Sequence, residues 1–277
     1  MLINPFYFLL ILSYIYGWES SIVYKGPSGK LEYQSDSEGN RIPDFSWAGF
    51  KNSEEEIPNV PNLVTLNPIA GDRTSDIQQA LDSVGDMAIK SDGFRGAVLL
   101  EAGEYEIHGT LFMRKSGVVL RGMGDDSTSG TILRGIGNTP HQRNIVEIGD
   151  NEFDHQYTSK IGASVDIVSD IVYVGERQFE IRDATSFSVG DNIIIYHPCT
   201  SDWLEAIDNG GVKQDTPWPE NSYPIVFNRY IKEIRGNTIT IDAPVYNTLN
   251  RALSQSYIYK NDRSKLITMV GVENLFI

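Results

Sequence analysis

Much of the chain from residue 97 onward consists of short apolar runs that are separated by brief spacers containing glycine. Spacers such as His108-Gly109 and Ser116-Gly117 are too short to hold a helix that returns a strand beside its predecessor. They also lack the Asn-Gly or Asp-Gly pairs that make two-residue hairpins. The pattern therefore favours a coil in which each strand stacks on the equivalent strand one circuit later. The apolar runs are residues 97–100, 105–107, 110–113, 118–120, 131–133 and 145–148.

This pattern predicts an all-β fold, the parallel β-helix, which is a single-stranded solenoid. Each circuit turns apolar side chains inward while alternate residues point to solvent. A β-sandwich also uses short strands and stays open as the structural alternative.

One helix is predicted ahead of these strands. Ile77, Ala80, Leu81 and Val84 recur at i, i+3, i+4 and i+7, which is one face of a helix. Ser75 and Gln78 have the spacing of a capping box, so Thr74 or Ser75 is expected to cap the N-terminus.

The segment from 166 to 242 has a different pattern. Residues 192–196 (NIIIY) have the composition of a strand, and Gly236-Asn237 joins two alternating runs in the manner of a two-residue hairpin. A polar, aromatic stretch that contains Trp203 and Trp218 lies between them. We expect an antiparallel β insertion that emerges from the solenoid.

The composition excludes several classes of partner and site. The formal net charge is −14, and such an acidic surface repels phosphate backbones, so no nucleic acid is expected as a partner. A single cysteine, Cys199, excludes an internal disulfide framework and multi-cysteine metal sites. Four scattered histidines without an HExxH motif do not predict a dedicated transition-metal site.

Residues 6–16 form an apolar run that is too short for a transmembrane helix and has the length of a signal-peptide core. It predicts a secreted or periplasmic protein that has no membrane contact after the signal is removed. Met1 to Pro5 carry no Lys or Arg, and no A-x-A-like cleavage site follows. A buried apolar segment of the fold is the alternative.

These patterns divide the chain into five predicted segments. They are a signal peptide (1–20), an N-terminal covering arm (21–70), a capping helix with the first β-helix circuits (71–160), the β insertion (161–250) and a return to a circuit (251–277). The last segment ends on a strand pair, and an uncapped solenoid exposes unpaired strand groups. We therefore expect either the N-terminal part of a longer protein or a truncated gene product.

Several stretches carry a family resemblance. They are residues 39–50 (GNRIPDFSWAGF), 71–82 (GDRTSDIQQALD), 96–105 (GAVLLEAGEY), 116–122 (SGVVLRG) and 270–275 (VGVENL). Together they resemble secreted right-handed parallel β-helix proteins of the pectate lyase superfamily. The resemblance covers most of the chain from about Ile22 onward, and it implies that the helix plugs the first circuit.

The resemblance implies binding or cleavage of acidic polysaccharide, by β-elimination in lyases or by hydrolysis in relatives. Such lyases bind Ca²⁺ through carboxylates and use an Arg or Lys as base on the middle circuits. None of those residues can be matched onto this chain, so the catalytic residues stay unassigned. Ca²⁺ is implied only by the resemblance, and a monomer is expected.

The best candidate binding residues lie in the insertion: Trp203, Trp218, Asp202 and Arg229. Sugar rings have apolar C–H faces that stack on indole, while carboxylates or Arg fix hydroxyl or uronate groups. The alternative is that both tryptophans only pin the insertion in place.

Other charged residues are weaker candidates. Asp150, Glu152 and Asp154 offer oxygen ligands for Ca²⁺, but they lack the EF-hand glycine and terminal Glu. Arg121 and Arg134 each end a strand, where they either form a basic ladder for a polyanionic sugar or offset nearby acidic residues.

The sequence therefore predicts an exported carbohydrate-active protein that binds or cleaves acidic polysaccharide. The rival is a non-catalytic carbohydrate-binding or adhesin-like module. An enzyme needs a groove where a basic residue and carboxylates converge, whereas a binding module needs only exposed aromatic side chains.

Overall fold

The structure is a computed structural model that describes residues 20–139, 143–149, 159–208 and 217–277. The predicted signal-peptide core and the Asp150, Glu152 and Asp154 cluster lie outside the described residues. None of the helices in the described ranges is long and apolar enough to cross a membrane.

The described residues form many short strands and few helices, as the sequence predicts. The strands are β1 (Val23–Lys25), β2 (Leu31–Tyr33), β3 (Asn62–Leu66), β4 (Gly96–Leu100), β5 (Gly103–Ile107), β6 (Leu111–Met113), β7 (Val118–Gly122), β8 (Thr131–Gly135), β9 (Val146–Ile148), β10 (Lys160–Asp166), β11 (Ile171–Val172), β12 (Gln178–Glu180), β13 (Asn192–His197), β14 (Ile225–Arg235), β15 (Thr238–Ile241), β16 (Leu249–Asn250), β17 (Tyr257–Asn261) and β18 (Gly271–Glu273). The helices are α1 (Thr74–Gly85) and α2 (Ser201–Ala206), with 3₁₀ segments at Phe45–Trp47 and Phe50–Ser53.

The chain divides into two compact units. The first comprises Met1–Asn52 and Ser164–Ile258, and the second comprises Ser53–Ala163 and Tyr259–Ile277.

The second unit contains the predicted parallel stacking of distant segments. Strands β4, β5 and β6 pair in parallel with β7, β8 and β9, in that order. On its other side β7 pairs in parallel with β18, and a parallel bridge joins Ile132 to Phe276. With β3 beside β4, the largest parallel sheet has the order β18-β7-β4-β3. Successive short strands thus stack on equivalent strands of the next layer.

The apolar face of α1 packs on these strands. Ile77, Ala80, Leu81 and Val84 are buried in one cluster with inward residues such as Leu100. The predicted helix is therefore confirmed, but its predicted cap is wrong.

Arg73 is the N-cap residue of α1, and its side chain makes no capping hydrogen bond. Instead, the backbone N–H of Thr74 donates to the Asp72 carboxylate at 2.9 Å. The Thr74 hydroxyl accepts from the N–H groups of His108 and Gly109 at 3.0 and 3.1 Å. Because this hydroxyl ties α1 to the corner between β5 and β6, it serves tertiary structure rather than the helix end.

The two arginines at strand ends are paired with acidic residues. Arg121 Nε lies 2.5 Å from a carboxylate oxygen of Glu273, and Arg134 Nη2 lies 2.7 Å from one of Glu104. These ion pairs support the interpretation in which the two arginines neutralise nearby acidic residues, rather than the one in which they form a basic ladder for a polyanionic sugar.

The first unit is built on antiparallel pairing. Four of its strands are neighbours in the order β13-β14-β15-β12, and all three of these pairs are antiparallel. Arg235 lies opposite Thr238, which confirms the predicted hairpin at Gly236-Asn237. One face of the sheet is buried in an apolar cluster that includes Ile193, Phe227 and Ile239.

The predicted fold class is thus confirmed in part. The chain is mostly β and has parallel stacked strands in one unit, but the sheets of the described residues are mixed parallel and antiparallel and form no closed solenoid.

Candidate functional site

The aromatic residues singled out by the sequence lie in the segment that joins β13 to β14, residues 198–224, which we name the β13–β14 connection. Its described parts are 198–208 and 217–224. Pro198 directly follows β13 and has no N–H to continue the ladder, so the chain leaves the sheet there. Thr200 then caps α2, and its hydroxyl accepts from the Trp203 N–H at 3.3 Å.

Hydrogen bonds from side chains to carbonyl groups fasten the start of the connection. The Thr200 hydroxyl donates to the carbonyl of Leu253, and the Ser254 hydroxyl donates to the carbonyl of Pro198, both at 2.7 Å. These two bonds run in opposite directions between the same pair of segments. They hold the entry to α2 against the chain before β17.

The second part of the connection is fastened to the first. The Asn221 N–H donates to the Cys199 carbonyl at 2.8 Å, and the buried Cys199 thiol lies 3.8 Å from the Pro219 carbonyl. Asn221 has φ +62°, a left-handed conformation that asparagine tolerates better than most residues. The loop 217–224 therefore has a defined turn conformation and is hydrogen-bonded to the start of the connection.

This loop presents two aromatic rings to solvent. The ring centroids of Trp218 and Tyr223 are 4.8 Å apart and their planes are tilted by 45°. Trp218 is 39% exposed and Tyr223 is 52% exposed. The rings contact each other, yet much of their apolar surface remains open to a ligand.

Trp203 has a different environment. It is half-buried on α2, and its ring meets the His197 ring edge to face, at 5.8 Å between centroids and 82° between planes. The alternative interpretation, in which the tryptophans pin the insertion, therefore fits Trp203. Asp202 is exposed in the first turn of α2.

His197 is buried behind Trp203 and is 1% exposed. Its Nδ1 lies 2.6 Å from the Ser256 hydroxyl oxygen, and its Nε2 has no hydrogen-bond partner among the described residues. Removal of the ring from water lowers the pKa of His197 to about 4. The imidazole is therefore neutral at pH 7 and adds no positive charge beside the connection.

Arg229 is not brought to the two tryptophans. The β13–β14 register sets Arg229 opposite Ile193, whereas His197, which begins the connection, lies opposite Ile225. Four strand residues correspond to about 13 Å. The Arg229 guanidinium donates to the carbonyls of Asn228, Ala243 and Pro244 and lies against the rings of Phe227 and Tyr246. Burial lowers the pKa of Arg229. Because its guanidinium is bonded to three backbone carbonyls, Arg229 stabilises the fold and does not face the tryptophans.

Sequence reasoning missed Tyr223, which the structure adds to the site. A signal was present, because Trp218 and Tyr223 lie in a short stretch bounded by Pro217 and Pro224. Prolines mark turns and loops, and loops lie at the surface, so an aromatic side chain in such a stretch is a candidate for exposure.

No group of three or more His, Cys, Asp or Glu side chains is arranged to hold a metal ion in the part of the chain that the structure describes. Ca²⁺ therefore remains an expectation drawn from the family resemblance.

Comparison with known proteins gives only distant structural similarity. No protein-family model matches the chain, and no curated protein matches it. The Gp54 tailspike of Acinetobacter baumannii bacteriophage AP22, solved in complex with A. baumannii capsular saccharide, is 14% identical with a TM-score of 0.34, covering 73% of this chain and 26% of that chain. The tailspike gp61 of Pseudomonas phage phi297 is 16% identical with a TM-score of 0.33, covering 73% and 26%. The tailspike gp49 of Pseudomonas phage LKA1 is 15% identical with a TM-score of 0.32, covering 72% and 27%. The chain thus spans about a quarter of the length of these solved proteins.

Proposed function

We propose that this protein binds a polysaccharide through the Trp218–Tyr223 pair. The observation that carries the proposal is the presence of two adjacent, exposed aromatic rings on a fastened loop. The exposure of apolar aromatic surface to water is thermodynamically unfavourable. The C–H faces of sugar rings can cover this surface, while the sugar hydroxyl groups stay hydrated. The Tyr223 hydroxyl can in addition exchange hydrogen bonds with sugar hydroxyl groups.

The loop is already held in shape before any ligand arrives. Asn221 is bonded to Cys199, and Pro217, Pro219 and Pro224 restrict the backbone around the rings. A ligand that stacks on these rings therefore loses little free energy to ordering the protein.

The size of the expected effect follows from the apolar area that a stacked sugar covers. Full burial of a large apolar side chain contributes about 1.5–3 kcal/mol, and these rings are already partly covered. Removal of one ring should therefore cost about 1–2 kcal/mol, which is roughly a 5- to 30-fold loss of affinity.

We extend this proposal to the fold and to the location of the protein. We propose that the stacked parallel strands of the second unit belong to a right-handed parallel β-helix, and that the protein is exported. The resemblance to the pectate lyase superfamily adds acidic polysaccharide as a ligand class and cleavage as an activity. The parallel pairing of β4 to β9 supports the fold part of the proposal.

Binding is tested by isothermal titration with a panel of soluble polysaccharides that includes neutral glucans, chitosan oligosaccharides, pectate, alginate and bacterial capsular saccharide. We expect a ligand in the panel whose affinity falls 5- to 30-fold in Trp218→Ala and in Tyr223→Ala. Phe45→Ala is the matched control, because Phe45 is also exposed and stacks on Tyr246 at 5.7 Å in the same unit.

An affinity that is unchanged in both Trp218→Ala and Tyr223→Ala would overturn the proposal. Equal loss in Phe45→Ala would do the same, because the effect would then not belong to the loop.

Cleavage is tested separately by incubation of the protein with pectate and alginate, with and without Ca²⁺, while absorbance of unsaturated products is followed in the ultraviolet. Product formation supports the lyase activity that the resemblance implies. Retained binding without product supports the non-catalytic rival.

A further inference from the structure

A cleft of about 200 Å³ lies between α1 and β6 in the second unit, and we name it the α1–β6 cleft. The buried part of its lining is apolar and consists of Leu81, Met113 and Val118. The less buried part consists of Gln78, Asp82, Phe112, Arg114 and Lys115. Sites for drug-sized ligands usually measure about 300–1,000 Å³, so this cleft suits a group as small as one sugar ring.

The side chain of Gln78 holds β6 against α1. The Phe112 N–H donates to Gln78 Oε1 at 2.8 Å, and Gln78 Nε2 donates to the Phe112 carbonyl at 3.0 Å. Gln78 Nε2 also donates to a carboxylate oxygen of Asp82 at 3.0 Å. Because both backbone groups of Phe112 are bonded to a helix side chain, its ring has a fixed position at the cleft.

Arg114 is held by the Phe112 ring rather than by a polar group. The guanidinium carbon of Arg114 is 4.4 Å from the centroid of this ring, which is a cation–π distance. The Arg114 side chain is exposed and makes no hydrogen bond or ion pair with a described residue. Arg121 and Arg134, in contrast, are paired with carboxylates. Stacking on the ring leaves the N–H groups at the edge of the Arg114 guanidinium open to an acceptor.

Lys115 adds a second positive charge at the cleft. Its side chain is exposed, and its stem packs over Gly85, the last residue of α1, where an added Cβ would lie 3.0 Å from Lys115 Cγ. Asp82 is the acidic residue of the lining, whereas Glu147, which lies opposite Phe112 on β9, is outside it. The lining therefore has an excess of positive charge, in a chain whose formal net charge is −14.

We propose that the α1–β6 cleft binds one uronate unit of an acidic polysaccharide. The planar Arg114 guanidinium donates two N–H groups to the uronate carboxylate, and Lys115 attracts it as a point charge. The apolar lining meets the C–H face of the sugar, and the Asp82 carboxylate accepts from a sugar hydroxyl group. This site lies in the second unit, so it goes beyond the proposed role of the Trp218–Tyr223 pair and does not depend on it.

The test is isothermal titration with trigalacturonate in about 10 mM salt, where surface charges are weakly screened. The cleft variant carries Arg114→Gln and Lys115→Gln. The matched control variant carries Lys25→Gln and Lys30→Gln, which removes two exposed positive charges from the first unit. A third variant, Arg114→Lys, keeps the charge of the cleft but removes the planar guanidinium. All of these proteins, including the parent, carry Trp218→Ala, which removes the indole of the other site.

We expect the parent and the control variant to bind trigalacturonate equally, and the cleft variant to bind it at least about tenfold more weakly. Arg114→Lys should give an intermediate loss, because an ammonium group does not form the paired hydrogen bonds of a guanidinium. An increase to about 150 mM salt should weaken binding by the parent more than binding by the cleft variant. Maltotriose, which lacks the charge, and inorganic phosphate, which lacks the sugar ring, should bind more weakly than trigalacturonate.

Equal affinities of the cleft variant and the control variant would overturn the inference, because any effect would then belong to the net charge. Binding of inorganic phosphate as tight as that of trigalacturonate would also overturn it, since the cleft would then be a general anion site. Urea unfolding midpoints are compared for all variants, and Arg114→Lys decides the outcome if the double variant is destabilised. The proposed function is judged separately, by comparison of the wild-type protein with Trp218→Ala, so either proposal can fail alone.

Discussion

The burial of His197 predicts a loss of stability in mild acid. The folded protein holds this histidine neutral down to a pKa of about 4, whereas its ordinary value is 6.5. Between these values the unfolded chain binds a proton that the folded chain does not. The contribution of His197 to the free energy of unfolding is therefore complete above pH 6.5 and is lost as the pH falls to about 4.

The magnitude follows from the size of the shift. The two values differ by about 2.5 pH units, and each unit corresponds to about 1.4 kcal/mol, so the loss is about 3 kcal/mol. The cause is structural: the ring is 1% exposed, its Nδ1 faces the Ser256 hydroxyl and the ring packs against Trp203, so the charged imidazolium would lose its hydration on burial.

The assay is urea unfolding at intervals between pH 7 and pH 4, followed by tryptophan fluorescence. His197→Gln is the comparison variant, because its amide can still bond to Ser256 but does not titrate. We expect the wild-type protein to lose about 3 kcal/mol more than the variant over this range. Parallel pH profiles of the two proteins would refute the reasoning.

Three further substitutions, measured by urea unfolding at pH 7, test the packing inside each unit. Thr131 is fully buried, and its hydroxyl donates to the Leu100 carbonyl at 3.0 Å and accepts from the Met123 N–H at 2.9 Å. Thr131→Val should therefore cost about 1–3 kcal/mol, and a cost near zero would contradict the role given to the hydroxyl. Trp203→Ala should cost about 2 kcal/mol because the indole packs on His197, whereas Trp218→Ala should stay within about 0.5 kcal/mol. Equal costs for the two tryptophans would refute the distinction between a packed ring and a displayed ring.

The sequence predicts those features of the fold that depend on local patterns. The spacing of Ile77, Ala80, Leu81 and Val84 gives α1 its buried face, because helical periodicity is a property of neighbouring residues. The pair Gly236-Asn237 gives the hairpin for the same reason. Short runs with glycine corners also suffice to predict parallel stacking in the second unit.

Features that depend on distant partners are not available from local patterns. The strand β3 lies inside the predicted covering arm, and it forms because β4 offers an edge for parallel pairing. The Thr74 hydroxyl bonds to the β5–β6 corner rather than capping α1, because the fold brings the N–H groups of that corner next to it.

The same limit applies to the candidate site. Arg229 has the chemistry to bind a uronate, but its partners are carbonyls that the β14–β15 hairpin brings to it. The sequence does not distinguish Trp203 from Trp218. In the structure, the Trp203 ring packs on the buried His197, whereas Trp218 lies on the exposed loop that the Asn221–Cys199 hydrogen bond holds.

The most direct test of saccharide binding at the aromatic pair is the indole N–H resonance of Trp218 in a ¹⁵N-labelled protein, assigned by comparison with Trp218→Phe. Titration with the tightest-binding glycan should shift this resonance in proportion to the fraction of protein bound, while the Trp203 resonance stays in place. Saturation with glycan that leaves the Trp218 resonance unmoved would contradict the account.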